Sequence, residues 1–385
     1  MLNFDKNKKV LLKNKIKLLF DISINLIMRL MCVLLTTKDY WVICERGCEA
    51  RDNAYFFYEY MKRAHPKQKV YYVIDSKSSD YYKVKDDAIE YRSLKTIFRV
   101  YRARKIISTH YASVIYNLPR RFFGLSGLQS KFYFLQHGII KDKLPSLYFR
   151  SAPMKLFVCG AYPEYLYVRN NFGHPQNVVK YTGLARFDNL HNISKKKQIL
   201  VMPTWRNWCD ADFEKTQYYK CWNELLNNKL LVDCLEKYNV DLVFYPHYEI
   251  QKHIKLFNST SDKVIIARFE DYDVQTLLKE SALLITDYSS VYFDFGYMKK
   301  PVVYYQFDKD RFFSQHYNRG YFDYETMGFG KVCESLNDVL TEIDNIIHED
   351  FEIDSCYLKR IEMFFPLHDD KNCERIYDVI VESNK

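Results

Sequence analysis

From residue 40 onwards the chain alternates short apolar runs with stretches of helical period. Residues 41–44, 70–74, 89–91, 105–108, 132–135, 156–159 and 178–182 are rich in branched and aromatic residues and read as short buried strands. Helical spacing appears over 53–64 and around Glu164. After a polar break the theme repeats, with strands at 199–202, 240–245, 263–267, 283–286 and 301–305 and helices over 219–238 and 274–280. Strands that alternate with helices favour parallel sheets covered by helices, so the expected class is α/β.

The break runs from His191 and Asn192 to Lys195, Lys196 and Lys197 and divides the chain into halves at 39–194 and 195–385. Two such halves on a short link suggest a cleft between domains. Residues 1–38 have a different pattern. Lys6, Lys8, Lys9, Lys13, Lys15 and Lys17 accompany apolar residues at helical spacing, namely Leu12, Ile16, Leu19, Leu26, Leu30 and Val33. Asp21, Asn25 and Arg29 interrupt the apolar content, which argues against a span of about 20 residues crossing a bilayer. An amphipathic basic helix is expected, either lying on an anionic membrane or packed on the first domain.

Composition refines this picture only slightly. A length of 385 residues suffices for two domains with their own cores. The net charge of +9 points to an anionic partner. Ten scattered Cys without a leader peptide suggest free thiols in a reducing compartment, and the single C-x3-C of Cys44 and Cys48 points away from zinc. Neither G-x-G-x-x-G nor G-x-x-x-x-G-K-[ST] occurs, which argues against a dinucleotide fingerprint and a Walker P-loop.

Ligands of open α/β sheets sit beyond the carboxyl ends of strands, so the residues that follow each strand carry the candidate chemistry. The run 283–286 leads into Asp287, Tyr288, Ser289 and Ser290, where a helix start would offer amides and hydroxyls to a phosphate. A plain helix cap by Asp287 or Ser289 explains the same residues. Residues 132–135 lead to His137 and Gly138, a titratable ring beside a residue that lets a substrate approach the backbone. Thr204, Trp205 and Arg206 follow the strand at 199–202, and His247 follows that at 240–245. Three successive strand ends with phosphate-compatible groups favour a phosphate-bearing ligand. Arg186 and Arg319 could neutralise anionic oxygens or pair with the neighbouring Asp188 and Asp323.

In this order the motifs His137-Gly138, Gly183 to Asp188, Pro203-Thr204-Trp205-Arg206, Pro246-His247 and Thr286 to Ser290 with Phe293-Asp294 resemble the CDP-glycerol glycerophosphotransferase family, the polymerases and primases of teichoic acids and related capsule enzymes. The resemblance runs from about Tyr40 to about Glu325. It implies a GT-B-like architecture, two Rossmann-like domains facing a cleft, with the nucleotide held mainly by the second. It implies two catalytic histidines, His137 as the general base on the acceptor hydroxyl and His247 near the donor diphosphate. Ser289 and Ser290 would bind phosphate oxygens, with Thr204, Arg206, Asp287 and Arg319 on the donor side and Gly138, Asp142 and Arg186 on the acceptor side or lining the cleft. Many members carry His-Gly-Thr-Pro and His-Pro, where this chain has His137-Gly138-Ile139-Ile140 and His247-Tyr248; these departures bear on acceptor and alditol more than on reaction class.

The expected activity is transfer of glycerol phosphate or a related alditol phosphate from a CDP-alditol to a lipid-linked or envelope-glycan hydroxyl, with CMP released. No cofactor, metal or nucleic acid is expected beyond that donor, and the expected setting is cytoplasmic, on the inner face of the membrane, as a single catalytic unit. A GT-B glycosyltransferase using a nucleotide sugar and a non-catalytic envelope-assembly subunit are the alternatives.

Overall fold

The computed structural model describes residues 2–33, 35–111, 114, 118–191, 196–209, 212–316 and 318–383, with side chains from residue 14. Residues 192–195 of the polar break lie outside the described residues, as do the side chains of Lys6, Lys8, Lys9, Leu12 and Lys13. The chain divides into two units. One comprises Met1–His137, Leu144–Asp188 and Asp369–Lys385; the other comprises Gly138–Lys143 and Asn189–His368.

The first unit holds strands β1 (Lys38–Cys44), β2 (Val70–Ile74), β3 (Ala88–Glu90), β4 (Ala103–Ser108), β5 (Phe132–Phe134), β6 (Leu156–Cys159) and β7 (Val179–Tyr181). They form one parallel sheet in the order β3-β2-β1-β4-β5-β6-β7. Successive residues such as Val42 and Ile43, or Ile106 and Ile107, are all fully buried, as strands covered on both faces require. The second unit holds β8 (Gln198–Val201), β9 (Asp241–Phe244), β10 (Val264–Ile266), β11 (Leu283–Thr286), β12 (Val302–Tyr305) and β13 (Gly330–Cys333). Their order is β10-β9-β8-β11-β12-β13, again all parallel. This is the expected α/β class with two Rossmann-like sheets. In each sheet the order reverses once, between β1 and β4 and between β8 and β11, and the loops leaving those strands part to opposite sides.

Four expectations change. The helix expected over 219–238 is two helices, Gln217–Leu226 and Lys229–Tyr238, because the Asn228 side chain accepts from the amides of Leu230 and Leu231 and starts a new helix there. The run of strands expected to end at 301–305 continues with one more. Strand β13 begins at Gly330, where an added Cβ would meet the Val302 carbonyl oxygen, so only glycine lets the edge strand close on β12. The N-terminal helix Leu2–Val33 exists, and among its described side chains apolar residues fall on both the covered and the exposed side. Leu18, Ile22 and Met28 are half-buried, whereas Leu19, Phe20, Ile27, Leu30 and Val33 are exposed. Its buried anchor is polar, with the Tyr101 hydroxyl donating to Asn25 Oδ1 at 3.2 Å. No helix among the described residues is long and apolar enough to cross a membrane.

The fourth change concerns the boundary at 195–385, since the segment Asp369–Lys385 belongs to the first unit. Asp188 explains why. Its carboxylate accepts from the amides of Asn372 and Cys373 at 2.8 and 2.9 Å and from Asn372 Nδ2 at 2.7 Å, at the start of the helix Asn372–Glu382. Arg375 adds a bond to the Thr182 carbonyl, and the Tyr377 ring stacks on His65 and Trp41. Gly183, at φ 79°, has no room for a side chain against Asn372. Asp188→Ala is expected to leave these donors without an acceptor and to lower the thermal unfolding midpoint by roughly 5–10 °C in calorimetry.

Candidate active site

In the first unit the loop after β1 runs into the helix Asn53–Ala64. Buried Glu45 starts that loop and accepts from the amides of Arg51, Asp52 and Tyr55 at 2.9 to 3.1 Å, which fixes the helix start. Burial and the nearby charge of Asp52 push the Glu45 carboxyl up to about 8, against the pull of those amides. Asp52 is thereby released from capping and makes no side-chain cap bond. Its carboxylate faces β5 instead, where Oδ2 lies 2.6 Å from His137 Nδ1 and Oδ1 accepts from Arg186 Nη1 at 2.9 Å. Burial alone would raise Asp52, but His137 and Arg186 hold it down at about 2.

Arg186 also donates to the His137 carbonyl at 2.7 Å, so it serves this carboxylate and this backbone rather than pairing with Asp188. The chain is pinned just before the histidine by Gln136, which is left-handed at φ 63° with its amide bonded to the Val158 carbonyl. The His137 side chain is 58% exposed while that of Asp52 is 10% exposed. The His110 ring centroid lies 5.0 Å from that of His137. Burial, then His137, push His110 down to about 3, and its Nε2 accepts from Arg46 Nε at 3.0 Å. Asp52, Glu45 and His110 escaped the sequence reading. The signal for Asp52 was its place directly before a helix at a strand end, a position that reads as an ordinary cap.

In the second unit the loops after β8, β11 and β12 meet on Arg206. Its side chain is 0% exposed. The guanidinium pairs with Asp308 through Nε at 2.8 Å and Nη2 at 3.1 Å, and with Asp287 at 2.9 Å. Nη1 donates to the Thr204 carbonyl at 3.0 Å. Burial would lower its pKa, but the two carboxylates outweigh that and hold Arg206 charged above its ordinary value. Arg206 is therefore enclosed and does not present its guanidinium to a ligand. Asp287 is fully buried too and accepts from the amides of Thr204 and Tyr288 at 2.8 and 2.5 Å, so it ties two strand-end loops together rather than capping the next helix. Thr204 is buried at the same junction.

Ser289 and Ser290 are half-buried just before the helix Val291–Tyr297, and Ser290 makes no side-chain cap bond. A methyl group on Gly138 would sit 3.1 Å from Ser290 Oγ, so the glycine leaves that hydroxyl approachable. His247 Nδ1 accepts from the Glu249 amide at 3.2 Å, which puts the proton of the neutral ring on Nε2 and makes that nitrogen a donor. Its ring stacks on Trp205 with centroids 6.4 Å apart, and His316 meets the same indole edge-on at 4.7 Å. Burial, then Arg206, push His316 down to about 4. Asp142 pairs with Lys141 at 2.5 Å and forms a backbone bridge with Arg319, whose guanidinium lies 4.4 Å from the Phe313 ring centroid. Asp323 caps Thr326 instead of pairing with Arg319.

Residues 26–143 and 168–382 match the family described as CDP-Glycerol:Poly(glycerophosphate) glycerophosphotransferase. The chain belongs to that family. It is 33% identical over 368 residues to the minor teichoic acid biosynthesis protein GgaB of Bacillus subtilis strain 168, covering 90% of this chain and 40% of that protein. It is 26% identical over 416 residues to the teichoic acid poly(glycerol phosphate) polymerase of the same strain, covering 99% of this chain and 54% of that one. The chain thus spans about half or less of these relatives. The solved structure of the wall teichoic acid polymerase TagF matches with a TM-score of 0.69 at 17% identity, over 99% of this chain and 98% of that one. That likeness establishes the GT-B-like fold.

Arg206→Ala is expected to leave two buried carboxylates uncompensated and to cost about 3–5 kcal/mol in urea denaturation, whereas Ser290→Ala should change stability by less than about 0.5 kcal/mol.

Proposed function

We propose that this protein transfers glycerol phosphate, or a related alditol phosphate, from a CDP-alditol to a hydroxyl of a teichoic-acid-like acceptor. The single observation that carries the reading is His137, an exposed imidazole held by a buried carboxylate at a strand end, in a chain of the glycerophosphotransferase family. The acceptor hydroxyl gives its proton to His137 as its oxygen attacks the β-phosphorus. The bond from that phosphorus to the bridging oxygen breaks, and CMP leaves with the electron pair. General base assistance of this kind supplies about 10²- to 10⁴-fold. The Ser289 and Ser290 hydroxyls and the Nε2–H of His247 are donors suited to the diphosphate oxygens, where developing charge is stabilised. Arg206, Asp287 and Thr204 keep the loops that carry those donors in place, and Arg186 and Gly138 shape the surroundings of His137 and Ser290. The acceptor in this reading is lipid-linked or part of the envelope glycan.

The same reading puts the protein in the cytoplasm at the anionic inner face of the membrane. The exposed Leu19, Phe20, Leu30 and Val33 of the N-terminal helix and its lysines support this. Removing residues 1–37 is expected to abolish sedimentation with vesicles containing anionic phospholipid; unchanged sedimentation would refute membrane binding by this helix.

Incubation with CDP-glycerol, CDP-ribitol and UDP-sugars plus an oligosaccharide or lipid acceptor should release CMP from one CDP-alditol. His137→Ala should lower that rate at least ~100-fold, and Ser290→Ala should raise the donor KM roughly tenfold. Release of UDP without CMP would make the protein a nucleotide-sugar glycosyltransferase instead.

A further inference from the structure

We propose that Asp52 is the positioning residue for His137, fixing the proton of the neutral ring on Nδ1 so that Nε2 is the nitrogen that accepts. The inference rests on the proposed transfer reaction for its kinetic consequence, but its structural half stands independently.

An ionised carboxylate can only accept hydrogen bonds, so the 2.6 Å contact between Asp52 Oδ2 and His137 Nδ1 requires a proton on Nδ1. The remaining lone pair is then on Nε2. The second carboxylate oxygen is taken by Arg186, and the same Nη1 reaches the His137 carbonyl, so ring and backbone are held by one ion pair. Asn53, next in sequence, donates to the Gln136 carbonyl at 3.0 Å and accepts from the Arg186 amide at 3.1 Å. The segment after β1, the end of β5 and the 3-10 turn Ala185–Asn189 are thereby locked around the histidine.

Exposure separates this arrangement from a merely structural ion pair. Withdrawing both partners of an ion pair from water costs desolvation, which only good geometry and further hydrogen bonds to the same charges repay. Here the carboxylate and Arg186 are withdrawn, at 10% and 11% side-chain exposure, while the imidazole is left 58% open. When Nε2 takes a proton, Asp52 faces the new imidazolium directly. His110, the other titratable ring alongside, stays neutral and adds no opposing charge. The atoms balance simply: one proton moves from the acceptor oxygen to Nε2, and the Nδ1 proton stays shared with Asp52 throughout.

The test is Asp52→Asn, with Asp52→Glu as the conservative control. An asparagine can turn its amide N–H towards Nδ1 and drive the ring proton to Nε2. Nitrogen-15 NMR of histidine-labelled protein should find the Nδ1–H tautomer of His137 in the unsubstituted chain and Nε2–H in Asp52→Asn. With a CDP-alditol, Asp52→Asn should lower kcat at least ~100-fold with the donor KM within about twofold, and Asp52→Glu should recover a large part of the loss. An Nε2–H tautomer in the unsubstituted protein would overturn the proposal, as would an Asp52→Asn variant that keeps kcat within about threefold. If no CDP-alditol is turned over, the reaction assignment falls, and the tautomer measurement alone still decides for or against the role of Asp52.

Discussion

A guanidinium withdrawn completely from water is the fixed point of the second unit. Left unpaired, such a charge would cost several kcal/mol, so the chain has to bring compensating groups to Arg206, and they come from separate loops. Asp287 arrives after β11 and Asp308 after β12, while the carbonyls of Thr204 and Trp205 come from the arginine's own loop after β8. The rings of Tyr218, Tyr288 and Phe312 close over the charge at 4.9 to 5.3 Å. None of these loops can shift without exposing or orphaning a charge. Ser289 and Ser290 follow Asp287 by two and three positions in sequence, so their location is inherited from the buried triad.

The first unit inverts this arrangement. There a carboxylate is at the centre, with Arg186 on one oxygen and His137 on the other, and the imidazole is left open to solvent. A sealed triad gives rigidity and nothing else. A half-open one gives rigidity plus a group that can exchange a proton. The contrast explains why an arginine and a histidine that both follow strands serve different ends.

Much of this was legible in the chain because parallel strands buried on both faces leave continuous apolar runs. The run 156–159 was delimited as it stands, and the helices 53–64 and 274–280 likewise. The strand-end rule picks out His137, His247 and the Ser289–Ser290 pair from the sequence alone. What was not legible depends on pairing at long sequence distance. That Arg206 is enclosed follows from Asp308, 102 residues away, and that Arg186 serves Asp52 follows from a separation of 134. Nothing local distinguishes a buried arginine from a ligand-binding one. The split at Asn228 was missed because the apolar period carries through it, and only the side-chain cap interrupts the backbone ladder. Gly330 was missed because a four-residue strand containing Gly and Lys carries almost no apolar signal.

The return of Asp369–Lys385 to the first unit has a consequence for how the protein is made. The second unit, apart from the short Gly138–Lys143 segment, is one uninterrupted stretch of chain, Asn189–His368. Every residue of it has been synthesised before the helix Asn372–Glu382 exists. The first unit, although the strands described for it come earlier, lacks the helix that supplies Tyr377 and satisfies Asp188 until later. On the ribosome, then, the half encoded second is the first able to complete its core, and the half encoded first must wait with an open flank until the helix Asn372–Glu382 emerges.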